Sequence, residues 1–355
     1  MTTPHVLLSD RLFESVLMAP AAYADELKIV AGYASPAMVS RVLAELPDSA
    51  TLHLVVGMAG HEGVVIADHE AFTALQEANS DRLRVAYTTG GRSIHTKLYV
   101  WSRQGEGVEA YVGSSNFTQN GFLVGWRQSR HSEVLARTDP SQAMAEFARI
   151  ESESLSAIHP DVENEIELHT RSRASLDSAA IADVPGAGGP LLGAESLILP
   201  LVAIRDYPPT GTVRGEPHRV WGLNWGVGRG RSNRNEASIL IPQIARDDKP
   251  NFFPRGESGR RVHFLVGTDD NKSMFMSVAE QGDKALHSVP SNGALGEYFR
   301  FRLGVANGAV VTLDHLRAFG SRFVKFFRLD DETYHMIYSP DLEPEGMALY
   351  GFPPL

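Results

Sequence analysis

Apolar and polar positions change texture once along this chain. Through the first half, apolar runs of strand length alternate with stretches of helical period. Residues 11–19 read as an amphipathic helix with Asp10 as its cap and Pro20 as its stop. Residues 27–34 read as a buried strand, and Ser35-Pro36 then opens a helix over 36–46. The pattern repeats with an apolar strand at 51–58, helical periodicity through Phe72, Leu75 and Ala78, and a third strand at 83–88. Residues 95–101, 110–113 and 133–137 supply further strands, and 141–158 a helix. Strands alternating with helices predict an α/β domain whose mixed sheet is flanked by helices.

From residue 191 onward the chain breaks into short strands punctuated by Gly, Pro, Asn and Asp: 196–202, 218–221, 237–242, 262–267, 273–278 and 323–327. Even spacing with little helix predicts a mainly β barrel or pseudobarrel. Residues 312–319 form the one clear helix there, capped by Thr312 and stopped by Gly320. The Ala- and Gly-rich run 178–190 marks a boundary. The division expected is therefore a domain over 1–158, a linker over 159–190 and a domain over 191–355. Residues 151–167 carry six acids and no Lys or Arg. An exposed connector is the plain reading; a shield over a cationic cleft, displaced by DNA, is the sharper one.

Composition changes this picture in three ways. The 355 residues suffice for two cores. Cysteine is absent, which excludes disulfides and thiolate metal sites. The chain starts without a basic, apolar leader and has no apolar run of about 18 residues, so no membrane role is expected and the cytoplasm is the expected compartment. A net charge of −10 argues against nucleic acid until its distribution is considered. Residues 214–261 hold ten basic and five acidic side chains. Phosphates respond to that local sign, because screening acts over about 8 Å.

The chemistry concentrates between residues 94 and 117. His95 and Lys97 leave one face of an extended segment, and Gly113-Ser114-Ser115-Asn116 follows after a turn at 104–107 that lets the two runs pair. An imidazole, an ammonium and an amide converging on one point suit a phosphodiester: the imidazole attacks phosphorus while Lys97 and Asn116 hold the oxyanions. Taken alone, His-x-Lys is a weak signal; the added Gly-Ser-x-Asn strengthens it. Together they resemble the signature of the phospholipase D superfamily, except that the acid usually found five residues after the Lys is here Ser102. That departure is closer to the nuclease-like branch, in which a downstream Glu supports the histidine. The resemblance assigns that part to Glu133, with Ser114 a further candidate for holding phosphate.

Two loops of the second half carry possible readers of DNA. Residues 224–236 contain Trp225, Arg229, Arg231, Asn233, Arg234, Asn235 and Glu236; Arg suits guanine, Asn adenine and Glu cytosine in the major groove. Ser291 and Asn292 lead to Tyr298, Arg300 and Arg302 in the second loop, where the aromatics read more simply as core. The stretches Leu-Asn-Trp-Gly at 223–226, Ser-Asn-Arg-Asn-Glu-Ala at 232–237 and Glu-Tyr-Phe-Arg-Phe-Arg-Leu-Gly at 297–304 resemble the C-terminal half of NgoFVII-type restriction endonucleases. That resemblance implies a phospholipase D-like nuclease domain joined to a B3-like DNA-binding pseudobarrel, with 224–236 and 288–302 as its two arms.

The function expected is sequence-specific, metal-independent cleavage of double-stranded DNA, as in a type II-like restriction endonuclease. One chain has one His-x-Lys, whereas the chemistry needs a nucleophile and a proton donor, so a homodimer is expected with a phosphohistidine on one His95. No cofactor or metal is expected in this chain. His61-Glu62 and His69-Glu70 lack the second histidine of a zinc helix, and there is no phosphate loop of the Gly-x-x-x-x-Gly-Lys type. ATP and magnesium would belong to a separate helicase-like ATPase partner, as in some relatives. The alternatives are a phosphodiesterase on another substrate, such as lipid head groups, and a non-catalytic sequence-specific DNA-binding protein.

Overall fold

The computed structural model describes residues 6–90, 93–122, 132–169, 194–255, 261–279 and 282–355. Gly91 and Arg92 lie outside these residues, as does the boundary run 178–190. The chain divides into two compact units, Met1–Ile181 and Ala182–Leu355.

The first unit is built on an eight-stranded mixed sheet. Its order is Leu7–Leu8, Leu135–Arg137, Glu106–Gly113, Leu98–Arg103, Glu26–Ala31, Thr51–Val56, Leu83–Thr88 and Ser154–Ser156. Glu26–Ala31, Thr51–Val56 and Leu83–Thr88 run parallel as neighbours, and the other pairings are antiparallel. Period-two alternation divides the strand residues between two faces: Leu27, Ile29 and Ala31 join the larger core, whereas Val30 joins Val55, Val100 and Phe147 on the other side. Helix Pro36–Glu45 covers the first face, its start set by Pro36 and by the Ser35 hydroxyl, which accepts from the Met38 N–H. Helix Pro140–Glu151, capped by Asp139, covers the second.

Two elements differ from expectation. The helix read over 141–158 stops at Glu151, and Ser154–Ser156 instead completes the sheet edge beside Leu83–Thr88. The stretch read as linker from 159 begins as folded chain: Val162 and Ile166 are buried in the larger core, and Leu168–His169 pairs with Val64–Val65.

The second unit is a seven-stranded sheet ordered Ser196–Pro200, Phe323–Arg328, Thr333–Ile337, His263–Thr268, Ser273–Ala279, Ala285–Val289 and Ile239–Leu240. Its two edge strands come close, so the sheet nearly closes into a barrel. The interior is aromatic, with Phe253, Phe264, Phe326 and Tyr334 in mutual contact. Helix Leu313–Phe319 has the expected Thr312 cap and Gly320 stop. Residues 218–221, read as a strand, are turn, and 293–303 form a helix that the sequence reading missed. Among the described residues no helix is long and apolar enough to cross a membrane.

Candidate active site and nucleic-acid interface

The site of the first unit is built over Gly32, at the carboxyl end of strand Glu26–Ala31. A Cβ placed on Gly32 would lie 3.1 Å from His95 Cδ2, 3.3 Å from Lys97 Nζ and 3.5 Å from Asn116 Oδ1. Two stretches of chain thus place an imidazole, an ammonium and a carboxamide around one residue of a third that has no side chain.

Backbone pairing explains the convergence. The strand following His95 and Lys97 starts at Leu98, later than expected, and pairs on one side with Glu26–Ala31 and on the other with Glu106–Gly113. The Gly113 N–H donates to the Lys97 carbonyl at 3.2 Å, holding the extended segment in line. Past Gly113 the chain folds against the end of the central strand: Phe117 N–H donates to the Tyr33 carbonyl and Ser35 N–H to the Phe117 carbonyl. This bridge carries Asn116 over Gly32.

Hydrogen bonds then set the side chains. Tyr33 N–H donates to Asn116 Oδ1 at 3.1 Å, leaving the NH2 as the end able to donate into the site. Lys97 is 5% exposed, and its Nζ lies 2.8 Å from His95 Nδ1 and 2.8 Å from the His95 carbonyl oxygen. Burial lowers the pKa of the Lys97 ammonium, against the opposing pull of the Glu133 carboxylate. Ser114 donates to Glu133, and its hydroxyl also accepts from Val134 N–H at 3.0 Å. Glu133 is thus paired with Ser114, and His95 Nδ1 is in contact with Lys97.

Ser102, at the position of the missing acid, is buried and donates to Glu26 at 3.0 Å. Five residues of strand separate it from Lys97, roughly 16 Å at about 3.3 Å per residue. The departure from the superfamily pattern thus lies away from the imidazole.

Sequence reasoning missed Gly32 and Tyr33. The Tyr33 ring stands edge-on to His95 with centroids 5.8 Å apart, and its hydroxyl donates to Glu62 at 2.9 Å. The available signal was position: ligands of α/β sheets bind beyond the carboxyl ends of the parallel strands, where Gly32-Tyr33 sits.

In the second unit, residues 224–236 start with the helical turn Trp225–Gly228 and then fold back on it, with Gly226 N–H donating to the Glu236 carbonyl at 2.7 Å and Arg231 N–H to the Gly226 carbonyl at 3.0 Å. Arg229, Arg231 and Arg234 are exposed. Arg231 pairs with Glu236 and lies over the Trp225 ring, which itself stacks near buried His287. Asn233 accepts from Asn235 N–H, and Asn235 donates to Glu297 at 3.2 Å. Ser291 is exposed, and Asn292 half-buried, at the start of helix Gly293–Leu303.

Two members of the second arm are buried, and a third, half-buried, is held by partners within the fold. Arg300 is 1% exposed, and its guanidinium donates to the carbonyls of Ala309, Gly296 and Leu223 at 3.0–3.2 Å. Tyr298 is core, and Arg302 is bound by Asp269 at 2.6 Å and by the Tyr338 carbonyl. These side chains hold the helix in place because a buried guanidinium must have its donors satisfied.

The fold and the site define a two-domain protein, a phospholipase D-like domain followed by a DNA-binding barrel. Residues 10–164 match the model of the NgoFVII restriction endonuclease N-terminal PLD domain, and residues 208–330 match that of the NgoFVII C-terminal B3-like DNA-binding domain. The chain belongs to the NgoFVII restriction endonuclease family. No curated protein matches it significantly. Similar solved structures include polyphosphate kinase from Porphyromonas gingivalis, 10% identical with a TM-score of 0.28, covering 44% of this chain and 24% of that one. A mutant of yeast tyrosyl-DNA phosphodiesterase is 14% identical with a TM-score of 0.26, covering 38% and 32%. The chain thus spans about a quarter to a third of the length of these proteins.

Proposed function

We propose that this protein is a sequence-specific endonuclease that cleaves DNA through a phosphohistidine, with two copies of the chain forming one active site. The observation that carries this reading is the convergence of His95, Lys97 and Asn116 over Gly32 in a chain whose other unit is a B3-like DNA-binding domain. Arg229, Arg231 and Arg234, with Ser291, are the exposed groups through which that unit would grip the major groove.

The contact between Lys97 and His95 supports a division of labour. An ammonium has only donors, so His95 Nδ1 must accept, and the neutral ring then carries its proton on Nε2. In that form Nε2–H serves the leaving oxygen, and as it gives up its proton Lys97 passes one to Nδ1, so the ring stays neutral while acting as the acid. In the other copy, Lys97 turns to the incoming phosphate, the ring proton moves to Nδ1 and is held by Glu133, and Nε2 becomes the nucleophile. The Nε2–P bond forms as the P–O bond to the leaving oxygen breaks. Water then attacks phosphorus, the first acid takes its proton as base, and the N–P bond breaks. Lys97 and the Asn116 NH2 hold the phosphate oxygens as charge develops, while Ser114 holds the Glu133 carboxylate. These steps require no metal ion. A separate helicase-like ATPase using ATP and magnesium is the partner this family membership suggests, and the cytoplasm is the compartment in which restriction would act.

The test is cleavage of plasmid and phage DNA with EDTA present, comparing the unaltered chain with His95→Ala. Discrete fragments from the first and none from the second are expected. Should neither cut, the assay is repeated with ATP, magnesium and the products of neighbouring genes. Silence there as well, with specific binding retained, would replace this reading with a DNA-binding protein. A monomer under cleavage conditions would refute the shared site.

A further inference from the structure

The second unit contains a cavity of ≈ 560 Å³ that lies outside both arms and adjoins the first through Trp221. One wall is aromatic: Tyr207, His218 and Trp221 pack together with ring centroids 4.4–5.3 Å apart. The facing wall is apolar and includes Val202 and Ile241. At the rim stand the cations Arg205, Arg246 and Lys284. The last two both stand beside Gly282: Arg246 donates to the Gly282 carbonyl and to Gln243, each at 2.6 Å, and a Cβ on Gly282 would lie 3.4 Å from Lys284 Cε.

The aromatic wall is held in place before any ligand arrives. Asn224 donates to the carbonyls of His218 and Val311, at 3.2 and 2.9 Å, tying the segment to the body of the unit. His218 is 5% exposed, and its Nδ1 accepts from Val220 N–H at 3.3 Å. The ring proton therefore sits on Nε2, which is shielded from solvent and has no hydrogen-bond partner among the described residues. A donor in that state is unfavourable until an acceptor is brought beside it. Trp221 also links the cavity to the arm: the Arg229 guanidinium lies 5.6 Å from its ring centroid.

An aromatic wall whose rings tilt 43–70° to one another, so that a base stacked on one meets the next edge-on, together with a buried donor and a pair of rim cations, suits a planar heterocycle that carries ring acceptors and a phosphate. We propose that this cavity binds a single nucleotide, supplied by the DNA held on the arms as a base swung out of the duplex, with its ring against Tyr207 and Trp221 and its phosphate at Arg246 and Lys284. Unstacking a base has a cost of its own, which stacking on aromatic side chains offsets. This inference rests on the reading of the second unit as the DNA-binding domain. It adds a contact that reads one base by its acceptors and ring size, where the arms read base edges in the groove.

The test uses the full chain and three measurements. Binding of a labelled random-sequence duplex establishes whether the chain holds DNA at all. The four deoxynucleoside monophosphates, with deoxyribose 5-phosphate as control, are titrated by calorimetry against the unaltered chain, Tyr207→Ala and the exposed-site variant Lys284→Ala. A duplex selected by the protein from a random pool is then labelled at each position in turn with 2-aminopurine or pyrrolocytosine. Expected are saturable binding of at least one monophosphate but not of the control, a loss of tenfold or more in Tyr207→Ala, the size of one lost base stack, weaker binding in Lys284→Ala, and bright fluorescence at one position of the bound duplex. Monophosphate binding with no bright position would overturn the duplex as the source and leave a free nucleotide as the ligand. Duplex binding with neither signal overturns the cavity itself. A chain that binds no duplex but still takes a monophosphate overturns the DNA reading alone.

Discussion

Lys97 Nζ sits 2.8 Å from Nδ1 of His95, so the two residues of the motif are in contact with each other before either meets a phosphate. Under the proposed mechanism this contact must break in the attacking copy, because Lys97 is needed at the phosphate oxygens. Lys97→Met is expected to lower the single-turnover cleavage rate by about 10²–10³, the usual cost of one oxyanion donor. DNA affinity measured by anisotropy at fixed salt should stay within about twofold, since the change lies outside the arms. Equal losses of rate and affinity would instead place Lys97 in binding.

Gly32 is the floor of the site. In Gly32→Ala the added methyl would meet His95 Cδ2 at 3.1 Å and Lys97 Nζ at 3.3 Å. Both are ends of side chains, so they yield by a few tenths of an ångström and folding should survive. Catalysis should not, because small displacements of reacting groups reduce rates by roughly 10–10²-fold. Single-turnover cleavage beside a thermal melt checks both halves of this expectation.

Ser114 and Glu133 form a hydrogen-bonded pair at the edge of the site. If Glu133 takes the Nδ1 proton during attack, Glu133→Gln should slow cleavage by about 10²-fold, the lower end of general acid–base effects. Ser114→Ala should cost less than about tenfold, and the double variant should resemble Glu133→Gln alone, because Ser114 acts on the carboxylate. Additive losses in the cycle would give Ser114 an independent part at the phosphate.

The two arms should respond differently to loss of an arginine. Arg231→Ala removes an exposed cation and should weaken binding and reduce the slope of log K against log salt by about 1, with stability nearly unchanged. Arg300→Met strands the carbonyls of Ala309, Gly296 and Leu223, and should destabilise the second unit by about 3 kcal/mol or more. Anisotropy over a salt series and calorimetric melting separate the two effects.

His287 gives the second unit a pH dependence. Burial holds its pKa at about 4, below the ordinary 6.5 of a histidine, and neither ring nitrogen has a hydrogen-bond partner among the described residues. Between those two values the unfolded chain binds a proton that the folded chain does not, so stability falls as pH drops from 6.5 towards 4. The loss is roughly 3 kcal/mol at about 1.36 kcal/mol per pKa unit. His287→Phe should flatten the melting temperature of this unit across that window; an unchanged slope would assign the effect to other groups.

Much of the site was legible in the primary structure because its chemistry is local. His95, Lys97, Ser114 and Asn116 lie within 22 residues on two runs joined by a tight turn, and strand period alone turns His95 and Lys97 to one side. The β-α units of the first half were equally readable, since Ser35-Pro36 and the apolar runs at 27–34, 51–58 and 83–88 are local signals. Tertiary structure decided the rest. Gly32 and Tyr33 reach the site only through a bridge to residues more than 80 positions away, which no local pattern encodes. The run from Tyr298 to Arg302 mixes aromatics with arginines in an order that fits a reading arm or a structural helix equally well. Burial settled it: the acceptors waiting for Arg300 include the Leu223 carbonyl, 77 residues earlier, and a buried guanidinium whose three nitrogens each donate to a carbonyl inside the fold is not presented to a base.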